Sequence, residues 1–334
     1  MSEKLTLRRW LRKIIGVQEI TSIIPPLVLV LAAILLNPVF LRPKNLGTLA
    51  SATIGVWGIF SIGQAFMIIT GEIDLSMGTL LGFTATLLSY MIKNGAPLWL
   101  GFITVFAITL GVALINSWMV LNRQVPVFIA TIGMMFICKG LAKVVNNGSV
   151  VSIFTLTAGN PALKAFVDFG NARLLGLSVH AWTFILLALI AQILLKKTAF
   201  GRKLYAVGDN RKVAKTAGIK VNRIKTLCFL INGTLVGIAS ILWVGFYAGA
   251  EPAQGGGWEF IAVTAVALGG VSLIGGRGSI IGVFFGVLSM ALIYNVITLL
   301  SINSQFQNIV VGLFLAFAVI FDVIRREKTI GKII

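Results

Sequence analysis

The sequence predicts an all-α, polytopic membrane protein with about ten transmembrane helices. Of its 334 residues, 57% are hydrophobic and only 11% charged, too apolar for a soluble domain of this length. Apolar runs of about 20 residues, the length that crosses roughly 30 Å of hydrocarbon, recur from one end to the other. The 28 Lys and Arg, against 10 acids, cluster at the ends of those runs, as the bias of cytoplasmic loops toward cations requires. A formal charge of +18 would raise nucleic acid as a partner for a soluble chain. No aromatic-studded basic face accompanies it here, so no nucleic-acid partner is expected.

Residues 1–19 carry Lys4, Arg8, Arg9, Arg12 and Lys13 and read as a cytoplasmic basic segment, an amphipathic helix on the inner membrane face. They lead into more spans without a small-residue cleavage site, so no signal peptide is expected. Ten spans fall near 21–41, 47–70, 74–93, 97–121, 126–147, 178–195, 225–247, 258–275, 279–300 and 305–324. No composition break divides them, so 20–325 reads as a single membrane domain, with 326–334 as a tail. An even number of spans puts both termini on one side. The basic start and Arg325-Arg326-Glu327-Lys328 make that side the cytoplasm. Arg123 and Arg277 then lie in inside turns. The outside loop 248–257 carries only Glu251, while Arg42 and Lys44 fall outside against the bias. The Gly-, Asn- and Pro-punctuated stretch 148–177 reads as a structured external segment.

The loop 196–225 holds ten Lys and Arg and one acid, Asp209, so it protrudes on the cytoplasmic side. Asp209 and Asn210 can cap a helix running to about Ala217, with Gly218 as its stop. The loop either presents a cationic helix to something in the cytoplasm or serves only as a topological anchor.

Glu72 and Asp74 lie between spans two and three. Each would cost roughly 2.5–3.5 kcal/mol at mid-membrane. They mark a substrate-path or gating turn, or a short cytoplasmic turn in which Asp74 caps the next helix; the cap is the simpler reading. The partner of Asp74 would be a Lys or Arg from a neighbouring turn. Gly275-Gly276-Arg277-Gly278-Ser279 is not a nucleotide loop, because Ile281 stands where a final glycine is needed, and no G-x-x-x-x-G-K-[ST] occurs. It instead permits close helix approach, continued by Gly282 and Gly286. Gly71, Gly78 and Gly82 repeat the spacing of Gly275, Gly282 and Gly286, a hint of duplication.

Cys138 and Cys228 read as buried hydrophobes. His180, the lone histidine, offers no metal site and sits beside Trp182 as if at the membrane interface. No nucleophile–base arrangement is supported, so no enzymatic role is expected. Trp57, Gln64, Asn116, Gln192, Asn232, Trp243, Asn295 and Gln307 place neutral hydrogen-bonding groups and aromatic faces in or near spans. They suit a polar, uncharged solute such as a sugar, or serve as glue between helices.

Several stretches carry a family resemblance. They are Ile73-Asp74-Leu75-Ser76, Val125-Pro126 with Phe128-Ile129-Ala130-Thr131-Ile132-Gly133, and Gly201-Arg202. With them go Tyr205-Ala206-Val207-Gly208, Asn210, Ala214 and Gly218-Ile219. Gly269-Gly270-Val271-Ser272, Gly275-Gly276-Arg277-Gly278-Ser279, Asn295, Gln307 and Gly312 complete the set. From span two to span ten the chain resembles the permease subunits of bacterial ATP-binding-cassette sugar importers, the ribose, xylose and galactose type with the related autoinducer-uptake permeases.

The resemblance implies a vitamin B12-importer-like permease fold in the bacterial cytoplasmic membrane. It implies a second permease chain, identical or paralogous, an ATPase subunit that binds the ATP and Mg, and a periplasmic sugar-binding protein. This chain would hold no cofactor. In the family, 196–225 contains the coupling helix. Onto it map Gly201, Arg202, Tyr205, Gly208, Asn210, Ala214 and Gly218, and Arg211 and Lys212 fall within the same stretch. Asp74, Ser76, Phe128, Thr131, Asn295 and Gln307 are the candidates for the translocation path. The chain departs from the family pattern at Glu72, where glycine is usual, and at Val213, Ile261 and Val296, which leaves the solute open. An ion-coupled secondary transporter using Glu72 and Asp74 is the alternative.

Overall fold

A proline breaks the first predicted span. The computed structural model describes residues 22–49, 52–303 and 305–330; the basic segment 1–19 and residues 331–334 lie outside them. Helix α1 (Ile24–Leu36) stops at Asn37, whose backbone is extended (φ −153°, ψ 111°), because a residue before proline is pushed out of the helical region. The Asn37 side chain accepts from the Val39 N–H and donates to the Leu299 carbonyl at 3.0 Å. A 3-10 turn (Pro38–Leu41) and the short helix α2 (Pro43–Leu49) follow.

Each remaining predicted span contains one principal helix. These are α3 (Ala52–Ile69), α4 (Met77–Lys93), α5 (Leu98–Leu121) and α6 (Val127–Val145). After the segment 148–177 come α8 (Val179–Lys197), α11 (Val221–Tyr247), α12 (Trp258–Leu268), α13 (Ile280–Leu299) and α14 (Gln305–Ile330). By length and composition α5, α6, α8, α11 and α13 can each cross a membrane. Two further boundaries differ most from expectation. Helix α12 ends at Leu268 and not near 275, because Gly269 and Gly270 (φ +78°) turn the chain. Helix α14 continues through the expected tail to Ile330.

Segment 148–177 is structured, as expected. It holds a 3-10 turn (Phe154–Gly159) and α7 (Pro161–Asn171), where the Asn160 side chain accepts from the Leu163 N–H at 3.1 Å. Strand β1 (Val151–Ser152) pairs antiparallel with β4 (Gly249–Ala250), and β2 (Arg173–Leu174) with β3 (Leu177–Ser178). The axis of the bundle is α11, 27 residues long and so about 40 Å. It packs against α3, α4, α5 and α7. His180 lies in the first turn of α8, at the span edge expected of it, and is fully buried there: Gly55 of α3 leaves room for it, and its Nε2 lies 2.9 Å from the Leu242 carbonyl oxygen. Cys138 and Cys228 are free and buried.

The two echoing glycine segments do comparable work. Gly282 and Gly286 seat α13 on the backbone of Gly269 and Ala265. Gly78 and Gly82 seat α4 on the backbone of Gly255 and Gln254. The turns meet where the Gly276 N–H donates to the Ile69 carbonyl at 2.9 Å. Such approach needs residues without a Cβ. Gly286→Ala drives a methyl onto the Ala265 carbonyl, whereas Gly133 on α6 faces open space. In detergent, Gly286→Ala should lower the melting temperature by several degrees. Gly133→Ala should hold or raise it, since alanine favours helix by about 1 kcal/mol over glycine.

Candidate functional site

The cationic stretch 196–225 folds into two short helices, α9 (Ala199–Asp209) and α10 (Arg211–Thr216). Of the two expected caps Asn210 is the one used, its Oδ1 accepting from the N–H groups of Lys212 (3.0 Å) and Val213 (3.1 Å), while Asp209 ends the preceding helix. Gly218 ends the turn at φ +79°. The preceding helix, α9, was not foreseen. Its own cap is Thr198, which accepts from the Gly201 N–H at 3.3 Å. Gly201 lies against the backbone of Leu195, so α9 folds back tightly from the end of α8.

One face of this pair is anchored and the other is free. Leu204, Val207 and Ala214 are buried, Tyr205 donates its hydroxyl to the Gly278 carbonyl at 2.6 Å, and Gly208 abuts the Ile69 carbonyl. Arg202, Lys203, Arg211, Lys212, Lys215 and Lys220 are exposed, together with Val213 at 60%. The result is a fixed cationic ridge with an apolar spot, a form suited to an acidic, partly apolar cleft. Lys225, counted with this ridge from sequence, does not belong to it. Helix α11 starts at Val221, and Lys225 is 5% exposed.

Nor is the Glu72–Asp74 segment a surface turn. Asp74, Leu75 and Ser76 are buried, and the chain runs back into the bundle before α4 begins. Lys225 Nζ, from the first turns of α11, pairs with Glu72 Oε1, so the cation expected at Asp74 is found on Glu72 instead. Asp74 is held by neutral donors. Its Oδ1 accepts from the Ser76 N–H (2.9 Å) and hydroxyl (2.6 Å), and its Oδ2 from Asn232 Nδ2 at 3.0 Å. Asn116 Nδ2 donates to the Ser76 hydroxyl at 3.1 Å. The Gln64 amide, oriented to satisfy both, bridges the Asp74 backbone N–H and carbonyl. Asp74 is not the N-cap of α4: that position is Ser76, whose side chain makes no capping bond, and Asp74 binds Ser76 from two residues upstream within a polar junction buried between α3, α5 and α11.

A second polar region lies toward the far end of the bundle. A cavity of about 500 Å³ opens among α3, α11, α12, α13 and α14, within the ~300–1,000 Å³ usual for small-molecule sites. Its walls are Trp57, Trp243, Tyr247, Trp258 and Tyr294. The rings pack edge to face: Trp57 to Tyr294 at 4.7 Å and Trp243 to Trp258 at 4.8 Å. Gln254, Gln307 and Asn308 add amides, and among the described residues no charged side chain lines it. Aromatic faces and neutral amides suit an uncharged polyhydroxylated solute.

Among the path candidates, Asp74 and Ser76 meet at the buried junction and Gln307 lines the cavity. Three stand apart. Asn295 exchanges amide hydrogen bonds with Asn45 (2.8 and 3.1 Å), buried Thr131 bonds its own helix at Val127, and Phe128 is 63% exposed. Gln192, also polar within a span, accepts from the Ile280 N–H at 2.9 Å and so ties α8 to α13. Sequence reasoning passed over Tyr247, Gln254, Trp258, Tyr294 and Asn308 as cavity residues. The available signal was that Tyr247, Gln254 and Trp258 flank one turn, between α11 and α12, and that Asn308 adjoins the already noted Gln307. It also missed Lys225, seven residues before Asn232 on one face of α11.

Residues 48–319 match the family described as branched-chain amino acid transport system / permease component. The ribose import permease protein RbsC of Bacillus subtilis (strain 168) is 34% identical, over 90% of this chain and 91% of its own. RbsC of Escherichia coli (strain K12) is 33% identical over 91% and 93%. The L-arabinose ABC transporter permease protein AraH of Azospirillum brasilense is 32% identical over 87% and 83%. No solved structure matches the chain. The buried junction yields its own expectation. Asp74→Ala orphans Asn232 and the Ser76 hydroxyl, at about 1–3 kcal/mol per group. The membrane-inserted, monodisperse yield should therefore fall sharply in fluorescence-detected size exclusion, and Asp74→Asn should recover part of it.

Proposed function

Because the chain belongs to the permease-component family whose model spans residues 48–319, we propose that it is the membrane half of a binding-protein-dependent ATP-binding-cassette importer. It carries a sugar or sugar-like solute inward across the bacterial cytoplasmic membrane and catalyses no chemical step. ATP is bound and hydrolysed, with Mg, in a partner ATPase subunit. A periplasmic binding protein delivers the solute, and two permease chains, identical or paralogous, form the route between them. The observation that carries this reading is the α9–α10 ridge, exposed in its cations and seated in its backbone.

In this reading both termini and the ridge face the cytoplasm, and the aromatic cavity opens toward the outside. Closure of the ATPase pair on ATP displaces α9–α10. The displacement passes to α8 through the tight turn at Gly201 and to α11 through the turn at Gly218. The solute is a neutral sugar of pentose size. That choice is supported by the relatives named for ribose and L-arabinose import and by the cavity's uncharged lining. The ion-coupled alternative draws no support, because Glu72 is taken by Lys225 and Asp74 by Ser76 and Asn232.

Two measurements test the reading. Arg211→Glu with Lys212→Glu should leave insertion intact and reduce the ATPase subunit recovered with the permease by roughly tenfold. Recovery equal to the parent would exclude docking at this ridge. Gln307→Leu should raise the KM for pentose uptake by roughly tenfold, about one hydrogen bond, with ATPase recovery unchanged.

A further inference from the structure

We propose that Glu72 and Lys225 form a buried strut that carries displacement of the α9–α10 lever into the middle of the bundle, a role that rests on the importer reading above. The pair closes a ring of contacts. On one side Gly208, near the end of α9, abuts the Ile69 carbonyl, which also accepts from the Gly276 N–H. Three residues on, the Glu72 N–H donates to the Met67 carbonyl at 3.1 Å, which holds Glu72 against the end of α3. On the other side the Ile219 N–H donates to the Ala214 carbonyl at 3.0 Å, closing the end of α10. Helix α11 starts two residues later at Val221, and Lys225 lies one turn along it. The lever thus reaches both partners of the ion pair by separate routes.

Burial decides how the pair behaves. The side chains of Lys225 and Glu72 are 6% and 12% exposed. Two charges in such surroundings do not part readily, because each would lose its counter-charge with little water to replace it. The ring therefore moves as one body and does not shear at this point. Two residues beyond Glu72, Asp74 is bonded to Asn232, two turns farther along the same helix. Segment 72–76 is thus pinned to α11 at two heights. A shift at the lower pin tilts the segment, and with it the start of α4 and the contact of Gly78 with Gly255 at the cavity side. Glu72 and Lys225 act as positioning residues, and neither lines the cavity.

Hydrogen–deuterium exchange can follow this transmission without any solute. The full permease is reconstituted with its ATPase and trapped with ADP–vanadate. In the parent, exchange should change by about twofold or more in both 199–220 and 70–76. In the variant Glu72→Met with Lys225→Met, which removes both charges and is the replacement least costly to folding, 199–220 should still respond and 70–76 should not. Equal response of 70–76 in parent and variant overturns the strut. Should the double variant fail to insert, Glu72→Gln carries the same comparison. If neither inserts, the pair serves folding alone and the strut assignment falls. A parent whose 199–220 stays unchanged with ATPase bound overturns the lever reading, and the strut with it. The charge-exchanged pair, Glu72→Lys with Lys225→Glu, should restore the response of 70–76.

Discussion

A carboxylate buried within a helical bundle has no water to turn to, and Asp74 is where this constraint shapes the molecule. Its oxygens are met by Ser76 and Asn232, and its backbone by Gln64. Those bonds draw residues 74–76 off the surface and into the bundle. Helix α4 consequently begins at depth, and Gly78 and Gly82 meet the backbone at Gly255 and Gln254. That contact holds the loop before α12, and through it Gln254 and Trp258, at the cavity wall. One buried acid therefore sets the position of a region well away from it.

Helix α11 joins the two ends of the molecule. It receives Lys225 and Asn232 in its first half and presents Trp243 and Tyr247 to the cavity in its last turns. Glycine does complementary work wherever backbone meets backbone, at Gly208, Gly282 and Gly286. Hydrogen bonds give the packing its specificity, and the absent side chains set how closely helices approach.

Patterns with a single physical cause were legible in the sequence. Apolar length located ten helices, the Asn210 cap and Gly218 stop bounded α10, and the glycine-rich turn at 275–279 proved to be a close-packing device. What escaped had causes distant in sequence. Nothing near Lys225 says that it leaves the cationic loop, since its partner is 153 residues away. Asp74 reads as a cap from its neighbours and as a buried junction only once Asn116 and Asn232 are brought to it. The burial of His180 beside Trp182 is invisible until Gly55 is brought against it. The cavity was half visible, because Trp57, Trp243 and Gln307 stand out within spans while Trp258 and Tyr294 resemble ordinary boundary aromatics.

Gly201 bears on how such a protein can diverge. Its contact with Leu195 is backbone against backbone, so the bearing of α9 is set without help from the solvent-facing side chains. Those positions are then free to drift. On the importer reading, a lineage could rewrite the ridge to suit a changed nucleotide-driven partner, one substitution at a time, while the buried contacts beneath it stay intact. Partner choice and cargo choice would evolve as separate traits carried by one chain.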